Sequence, residues 1–297
     1  MKAYKAFNKD MTCRGFQFEE GKEYYEDKAE LCKSGFHACL NPLDCWTYYD
    51  MFDSEIHEVE LDEVSSERGE NTKVCGKKIK IGAKLSLMNI ISASIDFVKE
   101  SIKSNINVND DNSAQLASPV DCAKLASSGD FAKLASYRAF AKLASSGRLA
   151  QLVSSDNYAQ LASSGQCAKL ASSGPWAQLA SSGDHSQLAS SGDRSQLASS
   201  GDGAKIASYG DFSKLASSGN HTTVRSTGEN SVIVCSGYDN KVSAVKGSWI
   251  TLTEWKRNEG GTFIPVCVKT EQVDGVRIKE NVLYTIKDGK FVEVEED

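Results

Sequence analysis

The sequence lacks the features that mark membrane proteins and disulfide-stabilised secreted domains. None of its apolar runs approaches the roughly 20 residues that a membrane-spanning helix needs, and its N-terminal stretch MKAYKAFNKD includes no apolar run of the secretory type. The nine cysteines are odd in number and form no C-x-x-C pair. We therefore expect reduced thiols, a cytoplasmic location and no membrane partner.

Signatures of catalysis and nucleic-acid binding are equally scarce. The sequence has no GxGxxG, GxxxxGK[ST], HExxH or GxSxG motif, which lowers the expectation of an enzyme and leads us to predict no cofactor. No segment is strongly basic, and residues 1–112 carry 15 Lys and Arg against 21 Asp and Glu. This charge balance excludes the basic footprint of a nucleic-acid-binding protein.

A nine-residue repeat occupies the middle of the chain. Twelve units run from Ser113 to Asn220, each close to x-A-[KQ]-L-A-S-S-G-D. Position 1 varies freely among Cys, Phe, Tyr, Trp, His and Arg, whereas positions 2 and 4 are almost always Ala or Ser and Leu. A strict short period is typical of a solenoid, in which each unit buries its apolar side against its neighbours.

Two conformations of the repeat compete. In a helical unit, Asp would cap a helix and Gly would end it, but only about six residues would remain, which is under two turns. In a strand unit, positions 2 and 4 point inward, position 3 points to water and SSGD forms the turn, with Gly supplying a positive φ. The phase continues past residue 220 in degenerate units rich in Val, Ile and Thr, which favour strands. We therefore predict a β-solenoid in which two units make one coil.

The repeat also resembles the pentapeptide-repeat family, because AKLAS and AQLAS match its A-x-L-x-x pattern. The SGDx stretch separates successive matches, so the resemblance implies only a narrow β-helix with Ala and Leu inside.

Two non-repetitive segments flank the array. Residues 1–84 predict a small α+β domain, with strands at KAYKAFN and IHEVELDEV and a helix entered at Asn41-Pro42. Residues 85–112 predict a linking amphipathic helix. The solenoid is expected over residues 113–248, and residues 249–297 predict a β-meander that caps its last coil, with tight turns at VDG and KDG. The fold class is therefore mainly β.

The two ends resemble a family of uncharacterised proteins encoded by phages and prophages. The matching stretches are KAFNKDMTCRGFQFEEGKEY, CKSGFHACLNPLD, KIKIGAKLSL and KGSWITLTEW…YTIKDGKF. The resemblance implies a bacteriophage or prophage origin, a bacterial cytoplasm as the location, and no activity.

Cysteine and histidine crowd between residues 32 and 45 in a pattern that does not predict a metal site. The spacings between Cys32, Cys39 and Cys45 are wider than the C-x2–4-C pairs of zinc sites, although a strand would place His37 and Cys39 on one face. We therefore expect these cysteines to fill a small core.

The order of YKAF, RGF, GFHAC, CWTYY and IHEVELDE between Tyr4 and Glu63 resembles the first half of an ADP-ribosyltransferase domain. The resemblance implies that Arg14 and His37 would hold a dinucleotide and that Tyr48 or Tyr49 would stack on its nicotinamide. Glu58 or Glu60 would orient the ribose as the catalytic carboxylate. No second half of such a domain precedes the solenoid.

Two functions follow from these observations. The first is a non-catalytic phage or prophage accessory protein whose β-solenoid is a scaffold or a binding surface for a host macromolecule. Binding could counter a host defence system. The expected partner is a host or phage protein. The alternative is a nucleotide-modifying enzyme seated in residues 1–84.

Overall fold

The computed structural model describes residues 1–67, 72–104 and 114–295. The chain divides into two compact units, residues 1–100 and 101–297. It is mainly β, with a small N-terminal domain, a β-solenoid of about 8 turns between residues 115 and 252, and C-terminal strands, which confirms the predicted fold class. Within the described ranges, no helix combines the length and the hydropathy needed to cross a membrane.

The N-terminal unit contains seven strands, one 3-10 helix and one α-helix. The strands are β1 Lys2–Asn8, β2 Thr12–Cys13, β3 Phe16–Gln17, β4 Glu23–Tyr25, β5 Phe36–Cys39, β6 Ser54–Val64 and β7 Lys73–Lys84. The 3-10 helix spans Pro42–Thr47, and α1 spans Leu87–Ser104.

Four antiparallel strands of this unit close on themselves. Strand β1 pairs with β5 and β6, and β7 pairs with the same two strands, while β4 lies beside β5 along one edge of β7. Alternation along each strand sends one set of side chains into the enclosed core. That core contains Ala3, Phe7, Phe36, Val59 and Ile79.

The segment predicted as a helix after Asn41 forms the short 3-10 helix. The Asn41 side chain caps it by accepting a hydrogen bond from the Leu43 N–H at 3.3 Å, and Pro42 occupies the first turn. Proline suits this place because its missing N–H would have no partner there.

Helix α1 is amphipathic, as predicted, and buries Ile90, Ile91 and Ile95. It begins at Leu87 and ends at Ser104, so residues 105–112 of the predicted linking helix lie outside the described residues.

The solenoid is built from four-residue strands at nine-residue intervals. These are β8 Gln115–Ser118, β9 Lys124–Ser127, β10 Lys133–Ser136, β11 Lys142–Ser145, β12 Gln151–Ser154, β13 Gln160–Ser163, β14 Lys169–Ser172, β15 Gln178–Ser181, β16 Gln187–Ser190, β17 Gln196–Ser199, β18 Lys205–Ser208, β19 Lys214–Ser217, β20 Thr223–Ser226, β21 Val232–Cys235 and β22 Lys241–Ser243.

Even-numbered and odd-numbered strands form separate parallel sheets. Each strand pairs in register with the strand two units away, so that Leu161 lies beside Leu143 and Leu179. Position 4 of every unit from Leu134 to Ile233 is nearly inaccessible to solvent, and the small residue at position 2 beside it is buried. Two units therefore make one coil, as predicted, and its centre is a continuous column of aliphatic side chains.

The turn glycines do not supply the positive φ that the sequence analysis expected. That conformation falls on position 1 of each unit, where φ is 54–65° from Cys122 to His221. Position-8 glycine is required instead by close approach between coils, because a Cβ at Gly183 would lie 2.0 Å from the carbonyl oxygen of Gly165.

Side chains at position 1 are exposed or partly exposed, and in one column they stack. Phe140 and Tyr158 have ring centroids 5.1 Å apart and nearly parallel planes, and Trp176 follows Tyr158 at 6.1 Å. The guanidinium of Arg194 then lies between the rings of Trp176 and Phe212, at 5.0 Å and 5.7 Å. These contacts offset part of the strain of holding a bulky residue in the left-handed region.

Aspartate at position 9 links successive coils. The Asp202 carboxylate accepts a hydrogen bond from the backbone N–H of Asn220 at 2.8 Å, and the Asp184 carboxylate accepts one from the backbone N–H of Asp202 at 3.0 Å. Serine completes the inner corners, because Ser186 Oγ donates to the Gly183 carbonyl at 2.7 Å. The polar residues of the repeat thus satisfy the turn backbone.

Position 3 is exposed throughout the odd-numbered sheet, as predicted, but not in the even-numbered sheet. In the latter, Gln151 and Lys169 are each 5% exposed, although they lie on the side of the strand opposite the leucine. The accessibility of an outward position therefore differs between the two sheets.

The C-terminal strands extend both sheets as antiparallel hairpins. Strand β23 Trp249–Arg257 pairs with β21 and with β24 Phe263–Gln272, whereas β25 Tyr284–Lys287 pairs with β22 and with β26 Lys290–Glu293. Strand β23 is itself parallel to β21 and is covered by the antiparallel β24, whereas β25 pairs antiparallel with β22 through Val242 and Tyr284. The last parallel strand of each sheet thus has an antiparallel neighbour.

Candidate functional site

The N-terminal domain contains a cavity of about 760 Å³. It lies between the β2–β3 hairpin, strand β5 and the end of the 3-10 helix, and its walls include Arg14, His37, Tyr48 and Tyr49. The structure thus brings together four of the six candidate residues named from the sequence. Glu58 and Glu60 do not line this cavity.

Arg14 occupies the tip of the two-stranded hairpin formed by β2 and β3. Arg14 and Gly15 have φ values of 50° and 78°, the left-handed pair that a two-residue hairpin turn requires. Nothing lies within 4 Å of a Cβ placed on Gly15, so this glycine serves the turn. The turn projects an exposed guanidinium at the cavity wall.

His37 is a neutral hydrogen-bonding group. Its Nε2 accepts the backbone N–H of Cys32 at 2.8 Å, which assigns the ring proton to Nδ1. Burial is the largest cause of a lowered pKa of His37. The positive charges of Lys5, Lys73 and Arg14 lower this pKa further, so three cations lie within electrostatic reach of the imidazole.

Tyr48 presents its ring to one of these cations. The Lys73 ammonium lies 3.8 Å from the ring centroid, a close cation–π contact, and Lys73 itself is on strand β7. Tyr48 is 42% exposed and therefore combines an accessible aromatic surface with a neighbouring positive charge.

Tyr49 contacts the β2–β3 hairpin at the cavity wall. Its hydroxyl donates a hydrogen bond to Cys13 Sγ at 2.8 Å. Burial, followed by this hydrogen bond, raises the pKa of Tyr49 far above its usual range. The phenol is therefore a permanent donor at physiological pH.

Lys5 is the least expected member of the cavity wall. Its side chain points from β1 into the interior of the domain, and the residue is only 8% exposed. The ammonium donates to the His37 carbonyl at 3.1 Å and to Cys13 Sγ at 3.5 Å. It also lies 5.3 Å from the centroid of the Phe7 ring. A cation in such surroundings gives the cavity a positive potential.

The two candidate catalytic glutamates are on the outer side of β6. Ile56, Val59 and Leu61 of that strand are buried, while Glu58 is partly exposed and Glu60 is exposed. The Glu58 carboxylate forms an ion pair with Lys2 at 3.0 Å. One carboxylate that does line the cavity belongs to Glu26, which accepts the Gly35 N–H at 3.0 Å.

The cysteines of this domain are reduced and mostly serve its core. Cys39, Cys45 and Cys75 are buried, and burial raises the pKa of Cys75 to about 11. The pKa of Cys45 is raised by its hydrogen bond with Cys39 and then by burial. Across the described ranges, no three His, Cys, Asp or Glu side chains are grouped so as to hold a metal ion.

Sequence reasoning missed Lys5, Lys73 and Cys13. Strand alternation offered a signal for the first, because Lys5 shares one face of KAYKAFN with Ala3 and Phe7, both fully buried. A lysine at an inward position indicates a functional or paired charge. Lys73 reaches the cavity through the long-range pairing of β7 with β5, which carries no local signal. Cys13 reaches it in the local β2–β3 hairpin, next to Arg14.

The solenoid carries a second concave feature on its odd-numbered sheet. A shallow groove of about 1040 Å³ follows the exposed position-5 alanines from Ala126 to Ala216 and the serines beside them. Position 3 of the same strands contributes Lys124, Lys142, Gln160, Gln178, Gln196 and Lys214, all exposed. This face therefore has small side chains at its centre and only positive charges among these outward rows.

Comparison with known proteins adds one similarity. Residues 1–93 match the model of a family described as a domain of unknown function, DUF7666. No curated protein and no solved structure matches the chain. The matched segment contains the whole cavity wall, from Tyr4 to Lys73.

Proposed function

We propose that the N-terminal domain is a binding module for a small anionic ligand with an aromatic ring, the class that includes nucleotides. The observation that carries the proposal is the convergence of Arg14, Lys73 and Lys5 on His37 at one cavity. In the described part of the chain, Arg14 and Lys73 form no ion pair with a carboxylate, although residues 1–112 have an excess of acidic side chains.

The chemistry of each wall suits one part of such a ligand. Arg14 can bind a phosphate with two parallel N–H donors, and Lys73 adds a second positive charge. The exposed ring of Tyr48 offers a stacking surface for a base. His37 contributes no charge, because its pKa is lowered; its hydrogen bond from the Cys32 N–H fixes the loop that borders the anion.

The same geometry favours binding over the ADP-ribosyltransferase alternative. A catalytic carboxylate must lie within hydrogen-bond reach of the reacting sugar. Glu58 instead pairs with Lys2, and neither it nor Glu60 lines the cavity. The module therefore recognises its ligand without using these glutamates.

Calorimetric titration of the full-length protein with NAD tests this function. We expect binding that weakens at least about tenfold in Arg14→Gln, because one charge-assisted contact to phosphate is lost, and that weakens in Tyr48→Ala through loss of stacking. The matched control is Lys78→Gln, since Lys78 pairs with Glu23 at 2.8 Å and lies outside the cavity wall. Absence of binding at millimolar NAD, or equal weakening in the control, would overturn the proposal.

We further propose that the β-solenoid is a scaffold that binds an acidic host or phage protein through its odd-numbered sheet, in a phage- or prophage-encoded protein of the bacterial cytoplasm. The groove from Ala126 to Ala216 and the lysines of its outer row support this assignment, because small side chains allow close approach and the charge is of one sign. The resemblance of the two ends to phage proteins supports the origin.

Quantitative affinity capture from a bacterial lysate tests the scaffold. A stoichiometric acidic protein should bind the wild type and be lost with Ala162→Asp combined with Ala180→Asp, which places negative charge in the groove. Asn157→Asp combined with Gln166→Asp adds the same charge at exposed positions outside the groove and is the control. Capture of a nuclease-sensitive species, or of the same protein by the double variant, would contradict this assignment.

A further inference from the structure

Cys13 lies in the cavity wall with two hydrogen-bond donors directed at its sulfur. The Tyr49 hydroxyl is 2.8 Å from Sγ and the Lys5 ammonium is 3.5 Å from it. The residue is partly exposed, so the sulfur is accessible from the cavity. Two donors, one of them cationic, form the kind of surroundings that make a cysteine a nucleophile.

Lys5 supplies the strongest argument, because this nine-tenths buried cation pairs with no carboxylate of the described residues. Its only oxygen partner among the described residues is the His37 carbonyl at 3.1 Å. A buried ammonium stabilises negative charge on a close partner, and the Cys13 sulfur, 3.5 Å away, is placed to carry that charge when it attacks an electrophile. Lys5 thus has the Cys13 sulfur as a partner, and Cys13 has a buried cation beside its sulfur.

We propose that Cys13 is a reactive nucleophile that accepts carbon electrophiles carrying a carboxylate. The sulfur attacks the electrophilic carbon, a C–S bond forms, and the bond to the leaving group breaks with its electron pair leaving on that group. The thiol proton passes to water. The preference for a carboxylate rests on the anion-binding function proposed above, because Arg14 follows Cys13 directly; the reactivity itself does not.

Alkylation of the full-length protein by limiting iodoacetamide tests the nucleophile. Rates at individual cysteines are read by peptide mass spectrometry, with Cys122 as the internal control because it is exposed and lies in the solenoid. We expect Cys13 to react at least about tenfold faster than Cys122. Accessibility alone predicts the reverse order, so a Cys13 rate at or below that of Cys122 would sink the proposal.

Two variants separate reactivity from folding. Lys5→Met replaces the buried cation by an apolar chain of similar length, and Tyr49→Phe removes the hydroxyl alone. Each should slow Cys13 about tenfold and leave Cys122 unchanged, with circular dichroism reporting the fold. Should Lys5→Met fail to fold, Tyr49→Phe carries the test, and an unchanged Cys13 rate in it would overturn the assignment.

Comparison of iodoacetate with iodoacetamide tests the carboxylate preference. The ratio of the two rates at Cys13 should exceed the ratio at Cys122 by about tenfold, and Arg14→Gln should abolish the excess. Fast reaction with iodoacetamide but no excess would keep the nucleophile and reject the anion site. NAD binding together with an unreactive Cys13 would keep the anion site and reject the nucleophile.

Discussion

The two units use hydrogen-bonded sheets in opposite ways. In the N-terminal domain, β1 pairs with strands that begin at residues 36 and 54, and each contact joins unlike residues. In the solenoid the same contact recurs at every second unit, with leucine beside leucine. The difference teaches that repetition yields a uniform core, whereas the unlike charges that make a ligand site gather where the sequence does not repeat.

A glycine substitution in the solenoid should cause the largest effect. In Gly183→Ala the new methyl group would lie 2.0 Å from a backbone oxygen of the neighbouring coil, and the in-register stack leaves the backbone no room to shift. We expect a loss of more than about 3 kcal/mol in the free energy of unfolding, measured by urea denaturation. Gly260→Ala, which meets only a side-chain atom at 3.4 Å, is the matched control and should change little.

A charge placed in the solenoid core should also lower the free energy of unfolding strongly. Leu161 is 1% exposed, so Leu161→Asp buries an unpaired carboxylate and should cost several kcal/mol. Its neighbour Gln160 is exposed on the other side of the same strand, and Gln160→Asp should cost about 0.5 kcal/mol or less. Equal melting temperatures for the two variants would show that the strand does not alternate as described.

The position-1 corner should show a reversed preference between alanine and glycine. Trp176 has a φ of 61°, a region that glycine adopts freely and alanine does not. Trp176→Gly and Trp176→Ala both lose the stack with Tyr158, yet the glycine variant should be more stable by about 1 kcal/mol. Thermal melting of both proteins measures the difference. A more stable alanine variant would show that the backbone at residue 176 is not strained.

The stability of the N-terminal domain should depend on pH through His37, whereas that of the solenoid strands should not show this dependence. The folded-state pKa of His37 lies below its ordinary value of 6.5, so the unfolded chain binds a proton more readily than the folded one as pH falls through that value. Stability present above pH 6.5 is therefore lost on acidification. Hydrogen exchange of residues 1–67 at about pH 7 and about pH 5.5 should show this loss, and His37→Asn should reduce it.

The period of the repeat predicted a solenoid with a leucine column, because every copy restates the same inward and outward positions. The Val-, Ile- and Thr-rich units past residue 220 then decided for strands and a two-unit coil. The sequence pattern was not enough to place the left-handed residue. Glycine is the usual marker of positive φ, but here Gly183 and its equivalents are required by the close approach of neighbouring coils. The positive φ falls on position 1, whichever side chain is present there.

The cavity was only partly predictable. Arg14, His37, Tyr48 and Tyr49 line one cavity. Glu58, which the resemblance to ADP-ribosyltransferases placed with them, lies on the outer face of β6 beside Lys2. Lys73 is distant from the others along the chain. It reaches the cavity because β7 pairs with β5, a pairing that no local pattern announces.

The in-register pairing of alternate units has a consequence for how this chain can change in length. Adding or removing two units leaves every later strand in its own sheet and moves the C-terminal hairpins along the axis by one strand spacing, about 4.8 Å. Adding or removing a single unit would transfer β23 and β25 to the opposite sheets and exchange the two position-1 columns. Duplication or deletion within the array therefore keeps every later strand in its own sheet only when it involves two units. The solenoid can change in length only by whole coils.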